Sequence, residues 1–182
     1  MSYPTTLEKR AVGEVLRVLE FAHNDLAKRL NAASINLTQT HLTPITLYAS
    51  TGDFVAATGQ PAWVAGVTRG NTMHLQPLAV LRKRGIVGMT LRHEFAHAAM
   101  ERLSHKRAPR WLLEGLAIHF AGEGRLYARV TDKVENDELE KKLAAPASPA
   151  EMRVLYAASY RAVQALIRTT GESNVWQKAT KP

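Results

Sequence analysis

The stretch TLRHEFAHAA, Thr90 to Ala99, sets two histidines and a glutamate into a mostly apolar run. A histidine on an apolar face is ordinarily a satisfied core residue, and the chain has seven histidines to distribute. The spacing here is particular. His93 and His97 are four apart, so a helix stacks them one turn apart on one face. Glu94 projects from beside the first. H-E-x-x-H supplies two imidazoles to hold a zinc ion and a carboxylate to act as general base. The surrounding pattern predicts a helix over residues 87–103.

Zinc on two histidines needs a third protein ligand if one position is to stay open to water. The chain contains no cysteine, so that ligand is a histidine or a carboxylate, and disulfides are excluded. Glu114, in PRWLLEGLA, is the best candidate. It lies near the start of the next predicted helix, after a polar connection, SHKRAP, just long enough to turn the chain back. Its surroundings are apolar on both sides, and a carboxylate buried there needs a partner. Pro109 suits the first turn of this helix and Gly122 its end.

The remaining elements fall around these two. Residues 6–31 carry Leu7, Ala11, Val15, Val18, Ala22, Leu26 and Leu30 at the helical period. Pro44 to Tyr48 reads as a short strand. Ser50 to Gly59 reads as a capped helix. Trp63 to Pro77 reads as two strands about the turn RGN, with Pro77 ending the second or placing it at an edge. LRKRG, from Leu81, reads as a loop. Glu135 to Ala145 is a short, mostly solvated helix. SPAE, Ser148 to Glu151, is a capping box opening a long helix to about Thr169, stopped by Gly171. The fold class is therefore α+β in a single domain, 1–182. An N-terminal lobe of a small sheet and helices, about 1–103, carries the histidine helix. A helical lobe, about 104–182, follows, with a cleft between the two.

Bulk properties bound the partners. At 46% apolar residues the chain is expected to fold, and 182 residues suffice for a sizeable core. Net charge is +8, with basic clusters at Arg82 to Arg84 and Ser104 to Arg110. The ordinary reading is a solvated face; the functional one is attraction to an anionic partner. No nucleic-acid motif accompanies the charge, so no nucleic acid is expected. No run is long enough to span a membrane. The start lacks an export signal, which fits a cytoplasmic protein or one exported with its signal trimmed. Oligomeric state is not legible.

HEFAH followed by PRWLLEGLA resembles the gluzincin metallopeptidases, especially the compact peptidase MA-like domains. The resemblance covers residues from about 40 to about 175. It implies a zincin-like fold and a zinc-dependent peptidase, with His93, His97 and Glu114 as ligands and Glu94 as base. The segment LYAASYRAVQALIRTTGE is similar to the downstream helix of those domains, from which a tyrosine points into the site. AGVTRGNTMHLQP is similar to their edge strand. Aminopeptidases of the broader group carry a glutamate in that strand to grip a free amine. Here the comparable place reads NTMHL, with His74 and no acid, which favours internal cleavage.

The expected chemistry is hydrolysis of a peptide bond by a water activated at zinc, with Glu94 moving the proton. An extended peptide or protein substrate would pair with the strand around Thr72, Met73 and His74. Two tyrosines compete to donate to the oxyanion. Tyr156 lies on the inward side marked by Met152, Leu155, Ser159, Val163, Leu166 and Ile167, and is favoured; Tyr160 would pack beside the cleft. Trp111 is expected in the core, and His119 in the core or at the rim. His23, His41 and His105 carry no pattern. The competing readings are a catalytically silent zincin-like domain that binds an anionic partner by its basic surface, and a nucleic-acid binder with a structural metal. The first has no need of Glu94; the second would want a fourth, closed ligand set.

Overall fold

A computed structural model of the chain describes residues 2–3, 9–37, 43–104 and 108–180. Leu7, His41 and His105 lie outside them. The long amphipathic pattern folds as α1 (Lys9–Ala32). Ala11, Val15, Leu19, Ala22, Leu26 and Leu30 are buried, at intervals of four, four, three, four and four, so one stripe faces the core.

β1 (Ile45–Leu47), β2 (Gly66–Arg69) and β3 (Thr72–Leu75) form a three-stranded sheet in the order β1-β3-β2. β1 runs parallel to β3 and pairs Ile45 with Met73; β2 runs antiparallel and pairs Gly66 with Leu75. β3 is therefore central. This corrects the expectation that the strand around Thr72, Met73 and His74 is free to pair with a substrate: β3 is flanked on both sides, and the edge beside it is β2. Two backbone bonds tie Ser2 to the outer side of β1, from Ser2 N to Ile45 O (2.7 Å) and from Leu47 N to Ser2 O (2.9 Å).

Between β1 and β2 lies α2 (Thr51–Thr58), opened by a complete Ser50/Asp53 capping box and closed at Gly59. After β3 comes α3 (Leu78–Lys83), where LRKRG was expected to be a loop. Leu78 and Leu81, three apart and both buried, supply the apolar anchor that makes a short helix worthwhile. α4 (Val87–Leu103) and α5 (Arg110–Ala121) follow as the sequence predicts, with Pro109 capping α5 rather than lying inside its first turn. α6 (Gly124–Tyr127) is a single turn that the sequence reading passed over.

α7 (Asn136–Ala144) buries Leu139 and Leu143. Its Glu140 carboxylate accepts from Arg110 N (3.1 Å) and Trp111 N (3.3 Å). Those are orphan donors of α5, which Pro109 cannot cap with a side chain. α8 (Pro149–Thr170) begins with Ser148 accepting from Glu151 N. The return bond of the expected box goes one residue back, from Ala147 N to Glu151 Oε2 (2.7 Å). Gly171 ends α8, and α9 (Glu172–Thr180), also unexpected, buries Trp176.

The architecture is mixed α+β and mostly helical, with nine helices among the described residues. One core takes residues from α1, the sheet, α4, α5, α8 and α9, and so joins both expected lobes. A second cluster, Leu139, Leu143, Leu155 and Ala158, lies between α7 and α8. Trp111 packs on both. No described helix is long and apolar enough to cross a membrane.

Candidate metal centre

α4 presents His93 and His97 on one face, and α5 packs against α4 so that Glu114 meets them. The two Nε2 atoms are 3.0 Å apart. Glu114 Oε2 stands 3.4 Å from each. A tetrahedral zinc with bonds of about 2.0–2.1 Å holds its ligand atoms about 3.3–3.4 Å apart. The triangle thus has the size of one face of such a coordination shell. Glu114 Oε2 is buried and has no hydrogen-bond donor. An unpaired buried carboxylate oxygen is costly, and one divalent cation would satisfy all three atoms. His93, His97 and Glu114 are the only metal-holding group of this kind among the described residues.

Electrostatics without a cation agree with the geometry. Burial disfavours a charged His93, but the carboxylates of Glu123 and Glu114 override it and hold its pKa well above the usual value. Burial would raise Glu114, yet His97 and His93 pull it far below the ordinary carboxylate range. A cation bound there would take over the role that a proton on His93 otherwise plays.

Glu94 is 6% exposed. Its Oε2 accepts from Thr68 Oγ1 on β2 (2.8 Å), and the same hydroxyl lies 3.0 Å from the Glu94 carbonyl. Burial raises the Glu94 pKa, as suits a proton acceptor. The carboxylate occupies space left by Gly66. A Cβ there would lie 3.0 Å from Glu94 Cγ, 3.2 Å from Oε1 and 2.9 Å from Leu75 Cδ2.

The tyrosines separate. Tyr156 lines the cleft with its ring centroid 6.0 Å from that of His93. Burial, then the Glu114 and Glu94 carboxylates, keep its phenol protonated well beyond the ordinary range. Tyr160 packs against Gly124, where a Cβ would overlap its hydroxyl, and does not line the cleft. The second phenol at the site is instead Tyr127 of α6. It stands edge-on to Tyr156 with centroids 6.1 Å apart, and burial likewise raises its pKa.

The cleft, about 1150 Å³, is walled on one side by β2 and the residues before it, Val64 to Thr68. Thr72, Met73 and His74 do not line it. Met73 is buried in the core, and His74 Nδ1 lies 2.9 Å from Tyr48 Oη. Gln76 N donates to Ala65 O (3.0 Å), and the register then makes Val67–His74 a hydrogen-bonded pair. In an antiparallel ladder the alternate residues, Gly66 and Thr68, turn their N–H and C=O groups outward. Both residues line the cleft.

From behind, Arg92 braces the site. It donates to Asp25 Oδ2 of α1 (2.6 Å) and to Phe120 O near the end of α5 (2.7 Å). Asp25 and Glu172 flank Arg29, and His119 lies half-buried with Nδ1 3.0 Å from Gln164 Nε2. His119 thus packs against Gln164 of α8 and Glu172 of α9 and does not line the cleft.

Sequence reasoning missed Glu123, Thr68, Gly66 and Tyr127. Glu123 Oε1 lies 3.3 Å from His93 Nδ1. The one signal for it was an acid directly after the glycine that ends α5. No protein-family model, no curated protein and no solved structure matches this chain.

Proposed function

We propose that the chain is a zinc-dependent peptidase of the gluzincin type, with a zincin-like arrangement of its lobes. The observation that carries this reading is the convergence of His93 Nε2, His97 Nε2 and Glu114 Oε2 within 3.4 Å, beside a buried carboxylate held by Thr68. His93, His97 and Glu114 would hold the ion, which when bound makes water acidic near neutral pH and polarises a carbonyl. Glu94 accepts the proton of the attacking water through its open oxygen while Thr68 fixes the other. It then delivers that proton to the departing amine. Tyr156 donates its phenolic hydrogen to the developing oxyanion. A peptide lies extended along β2 and pairs with the outward groups of Gly66 and Thr68, which sets its carbonyl in place. β2 reads GVTR and has no acid, so a free amine finds no partner in the edge strand and internal cleavage is favoured.

Metal content and casein hydrolysis, with and without chelator, test the reading. About one zinc per chain and hydrolysis abolished by chelation are expected. Glu94→Gln should keep zinc and lose most activity. A zinc-loaded wild type that hydrolyses nothing, or a Glu94→Gln variant at near wild-type rate, would refute it.

A further inference from the structure

We propose that Glu123 is a positioning residue for the metal centre: it grips His93 at Nδ1 and thereby commits Nε2 to the cation. The inference rests on the reading that His93, His97 and Glu114 hold zinc.

His93 lies between two carboxylates supplied by one stretch of chain. Glu114 Oε2 is 3.4 Å from Nε2, and Glu123 Oε1 is 3.3 Å from Nδ1. Both residues of the second pair are buried, His93 at 6% and Glu123 at 8% exposure. The Nδ1 contact is long for a hydrogen bond, yet Nδ1 has no other partner. A neutral imidazole carries one proton on one nitrogen, and a carboxylate beside Nδ1 draws the proton there. Nε2 is left with its lone pair aimed at the ligand triangle. Among the described residues His93 alone has a carboxylate at each nitrogen.

The backbone at Glu123 is fixed rather than wandering. Gly122 adopts φ 76°, a conformation that favours glycine, and so turns the chain out of α5 just before the acid. Glu123 N donates to Ile118 O (3.0 Å) and Glu123 O accepts from Leu126 N (2.8 Å). On the other side Gly124 is pressed on Tyr160. α5 therefore supplies one carboxylate for the metal from its first half and aims another at the back of the ligand from just past its end. Tyr160, expected from the sequence to pack beside the cleft, acts here as the wall that holds this turn.

The test is the zinc dissociation constant of the full chain, by competition with a chelating dye, for wild type, Glu123→Gln and Glu123→Ala. Metal-free melting temperatures are recorded beside it, and His97→Ala serves as control for the site. Outer carboxylates of this kind are typically worth about 10- to 100-fold in metal affinity. The expected order of zinc affinity is wild type tightest, then Gln, then Ala; metal-free melting temperatures fall in the same order, because the Glu123 carboxylate also stabilises the charged His93. Equal zinc affinity in all three overturns the proposal, as does a drop in melting temperature with affinity intact. Should the variants fail to fold, long-range 1H–15N spectra of the zinc-loaded wild type still decide. A proton on His93 Nδ1 with Nε2 bound to metal is expected, and the reverse assignment overturns the proposal. If wild type binds zinc and His97→Ala does not, while the Glu123 variants bind normally, only this inference falls. If wild type binds no zinc, the metal reading falls and takes this with it.

Discussion

Gly115→Ala should lower the melting temperature by about 4–8 °C, although alanine is the better helix former. Gly115 sits where α5 crosses α8. A Cβ there would lie 2.5 Å from Ser159 O, 2.9 Å from Ser159 C and 2.5 Å from Val163 Cγ2. Ordinary contact is about 3.5 Å, so the helices must part by about an ångström. Overpacking costs about 1–3 kcal/mol. The upper end applies because two of the three obstructing atoms are backbone and cannot rotate away. Replacing glycine by alanine returns about 1 kcal/mol of helix propensity. The net loss is about 2 kcal/mol, and for a chain of this size each kcal/mol moves the melting temperature by about 2–4 °C. Gly88 in α4 is the matched control. A Cβ there meets nothing within 4 Å, so Gly88→Ala keeps only the propensity gain and should raise the melting temperature by about 2–4 °C. Thermal unfolding of the metal-free chains by circular dichroism reads both. A Gly115→Ala variant that melts at or above wild type would refute the close crossing. Since Gly115 adjoins Glu114 and Ser159 lies one turn beyond Tyr156, the same variant should also weaken zinc binding.

Tyr156→Phe should lower kcat about 100- to 1000-fold with zinc content unchanged, as expected for one oxyanion donor, while Tyr160→Phe should leave kcat near wild type; a large loss confined to the second would transfer the role. Thr68→Val removes the donor on Glu94, a bond to a charged group worth about 1.5–3 kcal/mol, so kcat should fall with zinc retained, and Thr68→Ser should restore it; equal rates in Val and wild type would show that Thr68 does not hold the base. The metal-free site should be most stabilising between the ordinary pKa values of its partners, 4.5 for Glu114 and 6.5 for His93. The raised His93 contributes fully below its ordinary value and loses that contribution as pH rises through its folded value, whereas the depressed Glu114 loses its contribution as pH falls below 4.5. Urea unfolding across pH, compared with Glu114→Gln, should show the acid side of this window vanish in the variant, while the upper side persists through Glu123. A substrate with a blocked N-terminus should be cut as readily as a free one; strict dependence on a free amine would reassign the cleavage as aminopeptidase-like.

What was legible in the sequence is what local chemistry determines. The periods of α1 and α4, the Ser50/Asp53 box, the turn at Gly70 and the reach of α5 to Glu114 are all short-range signals. α9 was hidden because Gly171 reads as a stop, and no local pattern says that the chain resumes at once to bury Trp176. The strand order was not legible for a different reason. β2 and β3 form a hairpin that looks the same whichever strand faces outward, and only β1, arriving from 25 residues earlier, decides that β3 is central. Thr68 and Glu94 meet across 26 residues, and Glu123 meets His93 across the α4–α5 turn. Such pairs arise from packing, so neither partner carries a mark in its own neighbourhood. Gly66 looked like an ordinary strand glycine until the volume of Glu94 was seen to fill its missing side chain.

The sheet's two rims also bear on how copies of this chain behave in concentrated solution. An unpaired strand rim is a template on which other chains can add, and folded proteins associate or precipitate through such rims. Here one rim is sealed by Ser2, and the other is sunk into a groove whose opposite wall is helical. A second folded copy would have to clear that helical wall to reach β2, whereas a lone extended strand needs only its own width. The groove lined by Gly66 and Thr68 therefore also works against folded neighbours stacking on β2. Filling it from within, by a bulky residue at Ala65 or Val67, would alter access without exposing the rim, whereas cutting back the α8 wall would expose it and should show first as a loss of colloidal stability.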